Sequence, residues 1–524
     1  MLRVAAVAAP QYESAALGKG VLKSPDPVSV FNAVRYAAGL AAHGIGAWGA
    51  SNWSASRRAR RDAVLLMNAF EDDLPAFDLL IESIRPNLLL LGAMSLCLPG
   101  ATACARRAKD ILGDRVCVVL GGWHATETIY ADVAGRVTHH PGSPVRLMCE
   151  RRIPPDFDLV VAGEGEHVIA WLGERIAALE ARRIPPASIR AHLNGIAQVS
   201  GEFIVAWADE LQPVAVAGAG GALDRDALLP PCELFGVRAA FDVFDGRRTA
   251  HVFSGTGRGC VFDCTFCSER FSATGPRLAL AGSADRLFHQ LSSAARVIAE
   301  DTPGSKASAF VEDSTLLAGS KQSLRRLVEL LAESSLDVRF GAQLTIDQIL
   351  ARLDILRELK AVGLDYLFVG VETPDPRAIG GLSKDVMSAK DTWMHRTESV
   401  FEALNALGIK CGAAILFGLG EAREQRALLL AQLHAWRDVL GAPNPVSLNW
   451  AVQHPLKGGD GGCEYRYDRW GVPRGAWAEA FRDFGEASVL YPSAGQPAPE
   501  LAEVEEVAML YRLLHTDARV LAKV

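Results

Sequence analysis

Short apolar runs that alternate with helical patterns constrain the fold of this chain more than any other feature of its sequence. In the first third of the chain, continuous apolar runs occur at 2–9, 45–50, 88–93, 116–120 and 159–162. Strands that are apolar along their whole length suit a parallel sheet covered by helices on both faces. We therefore expect an α/β protein whose N-terminal domain, residues 1–180, is a doubly wound, Rossmann-like parallel sheet of about five strands.

The alternation stops and then starts again farther along the chain. Residues 181–246 indicate a connector, with a hairpin turn around Ser200 and Gly201. Six strand and helix repeats over 247–455 predict a partial (β/α)6 barrel, whose chemistry should lie at the carboxyl ends of its strands. Residues 456–524 predict a small mixed C-terminal region that could cap a substrate, with a helix over 501–514. The expected barrel strands lie near 249–254, 307–312, 338–344, 365–371, 409–417 and 446–452.

Length and charge limit the class of protein. At 524 residues the chain is too long for one hydrophobic core, and we expect three domains. Its 54 basic and 61 acidic residues give a net charge of −7, which argues against a general nucleic-acid binder. The apolar run 4–9 is too short for a signal peptide, and Pro99 and Gly100 interrupt the uncharged stretch 87–105. We expect a cytoplasmic protein without a membrane segment.

Three cysteines lie within eight residues, directly after the first expected barrel strand. Cys260, Cys264 and Cys267 have the spacing Cys-x3-Cys-x2-Cys, and three glycines precede or flank the first of them. Cysteine thiolates hold iron–sulfur clusters, and glycines allow a loop to wrap closely around one. Three thiolates leave one iron of a 4Fe-4S cluster open for chemistry. A zinc loop or three unpaired core thiols are the alternatives, but zinc usually needs a second cysteine pair or histidines.

Other chemically interesting residues are expected to be structural. The region 125–158, with His139 and His140, predicts an irregular and solvated insert. Aromatic residues of the tail either line a substrate pocket or, more commonly, pack; they are Tyr465, Tyr467, Trp470 and Trp477, near Cys463. The seven cysteines outside the triplet are scattered and predict no second cluster. They are Cys97, Cys104, Cys117, Cys149, Cys232, Cys411 and Cys463.

The cysteine spacing at the end of a first barrel strand resembles that of the radical SAM superfamily. In that superfamily the open iron binds the amino and carboxylate groups of S-adenosylmethionine (SAM), and reductive cleavage yields a 5′-deoxyadenosyl radical. Asp313, Lys384 and the segment 417–421 also resemble family motifs, although a proline common in the last is absent here. The resemblance implies SAM contacts at one residue between the cysteines and at later strand ends: Phe266, Glu312, Gln343, Glu372 and Thr373.

Segments ahead of the barrel resemble the cobalamin-binding domain of B12-dependent radical SAM enzymes. Residues 121–126 read Gly-Gly-Trp-His-Ala-Thr, and residues 163–166 read Gly-Glu-Gly-Glu. Paired glycines let a broad planar ligand lie against the backbone; the competing phosphate site would need a Gly-x-Gly-x-x-Gly after the first strand. The Asp-x-His-x-x-Gly motif of other B12 proteins is missing, as it is in the radical SAM subgroup, so the resemblance implies cobalamin bound without that histidine ligand. The implied cobalamin contacts are Gln11, Ser95, Leu96, Gly121, Gly122, His124, Glu164 and Gly165.

The combined resemblance, which covers residues 1–455, implies a B12-dependent radical SAM methyltransferase. One SAM would methylate the cobalamin, a second would supply the radical that removes hydrogen from the substrate, and the substrate carbon would take methyl from methylcobalamin. The implied partners are a small-molecule or peptide substrate of a biosynthetic pathway and an external electron donor of flavodoxin or ferredoxin type. The alternatives are a non-methylating rearrangement or cyclisation, cobalamin methyl transfer without a radical, and a corrinoid or cluster sensor without turnover.

Overall fold

The structure, a computed structural model, contains two compact units. It describes residues 2–10, 64–67, 69–132, 134–179, 186–221, 230, 232–233, 237, 241–254, 259–270, 280–374, 384, 393–455, 466–470 and 474–515. Of these residues, those in 2–236 and 455–471 form the first unit, and those in 237–454 and 472–515 form the second. No helix within these ranges is long and apolar enough to cross a membrane.

The first unit is built on a seven-stranded sheet. Its strands are β1 Val4–Ala8, β2 Val64–Leu66, β3 Leu88–Gly92, β4 Cys117–Gly121, β7 Leu159–Gly163, β8 Phe203–Asp209 and β9 Gln212–Ala217. Their order in space is β2-β1-β3-β4-β7-β8-β9, and the first five are parallel. This 2-1-3-4-5 order of the parallel strands is a doubly wound order, as predicted. The expected strand at 45–50 lies outside the described residues, and β2 was not predicted.

Helices lie between successive strands of this sheet, up to β8. They are α1 Phe70–Ile84, α2 Leu98–Leu112, α3 Trp123–Thr128, α4 Pro144–Cys149, α5 Glu166–Ala178 and α6 Pro186–Arg190. Every residue of β1 and β3 is buried, as their unbroken apolar sequences require. One core cluster joins alternate residues of these strands to the apolar face of α5.

The region 125–158 is ordered and largely buried, so the prediction of a solvated insert was wrong. It contains α3, a short antiparallel hairpin of β5 Ile129–Ala131 and β6 Val137–His139, and α4. His140 is 1% exposed, and Val145 and Leu147 of α4 are fully buried. The segment packs because its few apolar residues recur at helical spacing within α4, a pattern too short to be distinguished from a loop by periodicity alone.

The hairpin predicted around Ser200 and Gly201 turns instead at Glu210 and Leu211, between β8 and β9. Glu210 adopts a positive φ of 53° without being a glycine, so the sequence carries no turn signal there. The hairpin adds to β7 in antiparallel orientation, which pairs backbone groups that would otherwise form an exposed edge. The sheet therefore continues to residue 217, past residue 180 where the sequence analysis ends the first domain.

The second unit is built on six parallel strands whose order in space is their order in the chain. This arrangement is a partial (β/α) barrel, and all six strands lie within two residues of their predicted positions. The strands are β10 Arg248–Val252, β11 Ala307–Val311, β12 Val338–Gln343, β13 Leu364–Glu372, β14 Lys410–Phe417 and β15 Val446–Trp450. The helices are α7 Ser283–Asp301, α8 Lys321–Glu333, α9 Ile346–Leu350, α10 Leu353–Ala361, α11 Trp393–Ala406, α12 Arg423–Leu440, α13 Ala476–Ala480 and α14 Leu501–His515.

An aromatic cluster covers one face of this sheet below its carboxyl edge. Phe241 and Phe244, which precede β10, pack against Phe310 of β11 and Tyr366 of β13, with ring centroids 6.1 to 6.4 Å apart. Gly341 of β12 makes room for them, since a Cβ there would lie 2.9 Å from the Phe244 ring. We call Phe241, Phe244, Phe310 and Tyr366 the aromatic floor.

Ion pairs hold the opposite, amino end of the barrel strands. Asp245 pairs with Lys410 at 2.8 Å and with Arg339 at 3.3 Å, while Asp365 pairs with Lys360 at 2.7 Å and with Arg339 at 3.2 Å. Asp245 directly follows the floor residue Phe244, so these contacts fix the segment that carries the floor. Because several of these side chains are exposed, each pair contributes little alone and the network acts through its geometry.

Candidate functional site

The carboxyl ends of the barrel strands bring the predicted SAM-binding residues to one edge of the second unit. Parallel pairing of β10 through β13 places the ends of these strands side by side. Glu312 directly follows β11, Gln343 ends β12 and Glu372 ends β13. The cysteine loop follows β10 at this same edge, and Phe266 is a partly buried residue of that loop.

The three thiols of the cysteine loop lie near one another. Cys264 is buried, and Cys260 and Cys267 are partly exposed. The Cys267 N–H donates to the Cys264 carbonyl oxygen at 3.1 Å, which makes a tight turn of the second half of the motif. Burial is the main cause that raises the pKa of the Cys260 and Cys267 thiols, and the neighbouring thiols raise these pKa values further. The thiols are therefore close enough to affect one another's ionisation.

This donor set fits an iron–sulfur cluster better than a zinc ion. Within the described residues, no three His, Cys, Asp or Glu side chains are arranged around the position of a single metal ion. In a 4Fe-4S cluster each thiolate binds a different iron, so the sulfur atoms lie farther apart than the ligands of one ion. A loop with three thiols and no fourth protein ligand suits a cube with one open corner. Bound metal would keep these thiols deprotonated despite their burial.

The backbone that leads from β10 into the cysteine loop is fixed by three side chains. The Phe253 N–H donates to Gln290 Oε1 at 2.9 Å, and the Ser254 N–H donates to Asp313 Oδ2 at 2.9 Å. Arg286 Nε donates to the Ser254 carbonyl oxygen at 3.0 Å. Gln290 and Arg286 lie on α7, so both the next helix and the next strand end determine where the loop starts.

Asp313 gives this anchor a measurable pH dependence. Burial is the main cause that raises its pKa from 3.8 to about 6. The native state then binds the proton more tightly than the unfolded chain, so stability falls as pH rises from about 4 to about 6, by about 3 kcal/mol in all. Asp313→Asn keeps an oxygen acceptor for Ser254 and should flatten this slope. Urea unfolding of the cluster-free protein between pH 4.5 and 7 checks it, and an unchanged slope in the variant would refute the assignment.

Glu269, two residues after Cys267, ties the loop to β11. Its backbone carbonyl accepts a hydrogen bond of 2.6 Å from the Cys260 N–H, and its carboxylate accepts one from the Ser314 hydroxyl. Burial is the main cause that raises the pKa of Glu269, and the charge of Glu312 raises it further. Two carboxylates thus lie near the cysteine loop, which makes this edge strongly acidic before any ligand binds.

The end of β13 has a strained backbone angle at one residue and, at the next, a buried hydroxyl without a hydrogen-bond partner among the described residues. Glu372 has a φ of 62°, which a side chain rarely adopts, and Lys384 Nζ binds its Oε1 at 2.8 Å and the Gly370 carbonyl at 3.2 Å. Thr373 is fully buried, and within the described residues its hydroxyl has no hydrogen-bond partner. A buried hydroxyl without a partner costs about 1–3 kcal/mol, so this position fits a polar group of a ligand.

The loop after β14 is closed by its own glutamate. The Glu421 carboxylate accepts hydrogen bonds from the Gly418 N–H at 2.6 Å and the Leu419 N–H at 2.9 Å, and Arg426 Nε donates to it at 2.6 Å. Gly418 and Gly420 have positive φ values of 84° and 116°. The absent proline therefore leaves a well-defined turn, and Glu421 acts here as a structural residue.

In the first unit, the predicted cobalamin residues also meet at one carboxyl edge. The register pairs Ala8 with Gly92 and Gly92 with Gly121, so β1, β3 and β4 end together. Gly122 has a φ of 95°, and a Cβ there would lie 2.8 Å from the Ala93 backbone. Gly121 differs, because among the described residues a Cβ there would meet only the Val161 carbonyl oxygen at 3.7 Å. Of this glycine pair, Gly122 is required by packing, whereas Gly121 has room for a Cβ among the described residues.

Ser95, Leu96 and His124 form the inner part of this edge. Ser95 and Leu96 lie in a short 3-10 turn after β3 and are buried. His124 is fully buried, with Nδ1 3.2 Å from Ser95 Oγ and Nε2 3.0 Å from the Gly142 carbonyl oxygen. The Tyr467 ring packs edge-on against it at 5.1 Å. A direct contact between His124 and a ligand would require this arrangement to open.

Glu164 and Gly165 lie at the end of β7, and Gln11 lies outside the described residues. Glu164 Oε2 accepts a hydrogen bond from the Glu202 N–H at 3.0 Å, so this side chain fixes the entry to β8. Gly165 precedes α5 and is the hydrogen-bond acceptor of its first turn, from the Ile169 N–H. Thr126 Oγ1 accepts from the Gly163 N–H at 3.1 Å and links the loops after β4 and β7.

Sequence reasoning missed two residues near the cysteine loop. Glu269 offered a weak signal, its position two residues after the last cysteine. His251 is a buried histidine of β10 whose Nδ1 is hydrogen-bonded to Glu312, and only its place in the strand before the cysteine loop marks it. The role of a histidine inside an apolar strand cannot be predicted until its neighbours on the adjacent strand are known.

Two solved structures resemble the chain only loosely. The radical S-adenosylmethionine methyltransferase TsrM from Kitasatospora setae, with cobalamin and a 4Fe-4S cluster bound, has a TM-score of 0.45 at 15% identity and covers 86% of this chain and 72% of that chain. OxsB, a cobalamin-dependent S-adenosylmethionine radical enzyme, has a TM-score of 0.46 at 14% identity, with 82% and 52% covered.

Sequence comparisons are more specific. The anaerobic magnesium-protoporphyrin IX monomethyl ester cyclase of Rubrivivax gelatinosus is 22% identical over 400 residues, which are 75% of this chain and 61% of that protein. The chain therefore spans about three fifths of the length of this curated relative. Residues 255–433 match the family model described as the Radical SAM superfamily. Together with the cysteine triplet and the polar strand ends beside it, this match identifies residues 255–433 as a radical SAM domain.

Proposed function

We propose that this protein is a cobalamin-dependent radical SAM methyltransferase that transfers a methyl group to a carbon of a small-molecule or peptide substrate. The observation that carries the proposal is the cysteine loop after β10, which faces polar residues at the ends of the next three strands. Cys260, Cys264 and Cys267 would hold the 4Fe-4S cluster. The cluster, when bound, supplies the electron that cleaves SAM reductively.

The protein's own residues would hold SAM around the open iron. The Thr373 hydroxyl, buried without a partner within the described residues, offers a hydrogen bond to a polar group of SAM. Glu372 is held by Lys384 in a fixed direction, and Glu312 adds a second carboxylate at the same edge. Carboxylates suit the hydroxyls and ammonium group that SAM carries.

The cobalamin part of the proposal rests on the doubly wound sheet of the first unit. Ligands of such sheets bind beyond the carboxyl ends of the strands, at the point where strand order reverses. In the 2-1-3-4-5 order this point lies between β1 and β3, where Ser95 and Leu96 follow the strand end. Gly121, on the neighbouring strand, has room for a Cβ among the described residues, so a flat ring could lie against its backbone.

A second candidate is a cyclisation with the same cofactors and without methyl transfer. It is favoured by the sequence similarity to the magnesium-protoporphyrin ester cyclase, which is named for ring formation. Both candidates use the cysteine triplet identically, so the geometry of the cluster loop does not distinguish them. The fate of the SAM methyl group does.

The test is anaerobic reconstitution with iron, sulfide and cobalamin, followed by reduction in the presence of SAM labelled with deuterium in its methyl group. A methyltransferase should yield S-adenosylhomocysteine, with the label recovered on the extracted corrinoid, and should also yield 5′-deoxyadenosine. A cyclase should yield deoxyadenosine and labelled methionine, with no label on the corrinoid and no S-adenosylhomocysteine. Methyl transfer without a radical should give S-adenosylhomocysteine and no deoxyadenosine. A protein that retains no corrinoid would refute the cobalamin assignment.

A glycine variant sharpens the corrinoid measurement. Gly121→Ala should leave folding nearly unchanged, because among the described residues the added Cβ meets only one atom, at ordinary contact distance. It should weaken corrinoid retention by about tenfold or more if a ring lies against this backbone. Gly195→Ala is the matched control, since its Cβ would also meet a single atom, at 4.0 Å from Trp171. Equal retention in both variants would contradict a corrin at Gly121.

A further inference from the structure

A buried histidine stands behind one of the proposed SAM-binding carboxylates. His251 is the fourth residue of β10, and Glu312 directly follows β11, the neighbouring strand. The Nδ1 atom of His251 is hydrogen-bonded to Glu312 Oε1. The histidine side chain is 3% exposed and the glutamate side chain 22% exposed. A ligand at the carboxyl edge would therefore meet the carboxylate, with the imidazole behind it.

The aromatic floor fixes the position of the His251 imidazole. The Phe241 ring of the aromatic floor packs edge-on against His251, with ring centroids 5.4 Å apart and an interplanar angle of 73°. Phe241 in turn packs against Phe310, the register partner of His251 on β11. The imidazole thus lies between an apolar layer and a carboxylate and has little freedom to rotate.

Glu312 needs such a partner because its surroundings are acidic. Asp313 directly follows Glu312 in the chain, and the Glu269 carboxylate accepts a hydrogen bond from the hydroxyl of Ser314, two residues after Glu312. Three carboxyl groups are therefore grouped at this edge, where their like charges repel one another. A charge-assisted hydrogen bond from a fixed donor keeps one carboxylate in a single orientation despite this repulsion.

We propose that His251 is a positioning residue that holds Glu312 in the direction required to bind SAM. The inference rests on the proposed SAM-binding role of Glu312 and is independent of cobalamin. Without the histidine, the carboxylate would turn away from the neighbouring acids towards solvent, and SAM would have to reorient it on binding. Removal of the donor should weaken SAM binding by about tenfold, the size expected for one charge-assisted hydrogen bond.

The test measures SAM affinity without turnover. The anaerobically reduced, cluster-loaded protein is titrated with an analogue of SAM that has nitrogen in place of the sulfonium sulfur and is not cleaved, and the change in the electron paramagnetic resonance spectrum of the cluster gives the dissociation constant. His251→Phe keeps the ring contact with Phe241 and removes the donor, while His251→Asn keeps an N–H at the position of Nδ1. Glu312→Gln removes the charge of the acceptor. His289→Phe, at an exposed histidine of α7, is the matched control.

The expected result is a dissociation constant about tenfold higher for H251F and E312Q, with the double variant no weaker than either alone. H251N should be restored to within about threefold of the wild type, and H289F should be unchanged. Wild-type affinity in H251F, or in E312Q, would overturn the inference. If H251F loses its cluster, the dissociation constants of H251N and E312Q are compared instead. A value for H251N within about threefold of the wild type, with a value for E312Q about tenfold higher, supports the inference, and a wild-type value for E312Q overturns it. A wild-type cluster whose spectrum does not respond to the analogue would instead refute the proposed function itself.

Discussion

Replacement of any one of Cys260, Cys264 and Cys267 by Ala is expected to leave the protein without its 4Fe-4S cluster. Each thiolate binds a different iron, and within the described residues no other His, Cys, Asp or Glu group forms a metal site that could substitute. Iron and sulfide content should fall to background after anaerobic reconstitution. The electron paramagnetic resonance signal of the reduced cluster and all SAM cleavage should disappear with them.

Cys411→Ala is the matched control for these variants. Cys411 is also a free and buried cysteine of the second unit, but it is the second residue of β14 and therefore lies at the opposite end of the strands. Its replacement should leave the iron content unchanged. A triplet variant that keeps a full cluster, or a Cys411 variant that loses it, would contradict the assignment of the cluster ligands.

Tyr467→Ala is expected to destabilise the first unit by about 3–5 kcal/mol, the usual cost of deleting a large buried aromatic ring. Tyr467 is fully buried although it is far along the chain from its neighbours. Its ring packs against His124 and His140, and a Cβ on Gly142 would lie 2.7 Å from it, so only glycine fits there. Urea unfolding measures the loss.

Two further variants distinguish the loss of the packed Tyr467 ring from other effects of a substitution in this segment. Tyr467→Phe keeps the ring and its edge contact with His124, so it should cost less than about 1.5 kcal/mol. Arg469→Ala changes an exposed neighbour on the same segment and should alter the free energy of unfolding by no more than about 0.5 kcal/mol. A small effect of Tyr467→Ala, similar to that of Arg469→Ala, would show that the segment 466–470 does not stabilise the first unit.

The barrel strands could be predicted from sequence because each is a short apolar run bounded by polar or glycine residues. For the same reason the polar residues at their ends, such as Glu312, Gln343 and Glu372, could be placed at one edge from sequence alone. The expectation required only that parallel strands share an edge. The same pattern predicted a doubly wound sheet in the first unit, but not the order of its strands or the strand β2.

Long-range contacts could not be predicted in this way. Tyr467 belongs to a segment that the sequence assigns to a C-terminal region, yet it packs against a histidine more than three hundred positions earlier. His251 reads as one polar residue in an apolar strand until Glu312 is placed beside it. Glu210 adopts a positive φ in a hairpin turn, and no glycine stands at this position to predict the turn. Each case depends on a partner or a backbone angle that local periodicity does not contain.

The measurement that tests the central claim most directly is SAM cleavage by the reconstituted and reduced protein under anaerobic conditions. The account predicts that the wild-type protein converts SAM to 5′-deoxyadenosine when reduced, and that the Cys260, Cys264 and Cys267 variants form none. Wild-type protein that carries a full reducible cluster but forms no deoxyadenosine would contradict the account, and so would deoxyadenosine formation by a variant that lacks the cysteines.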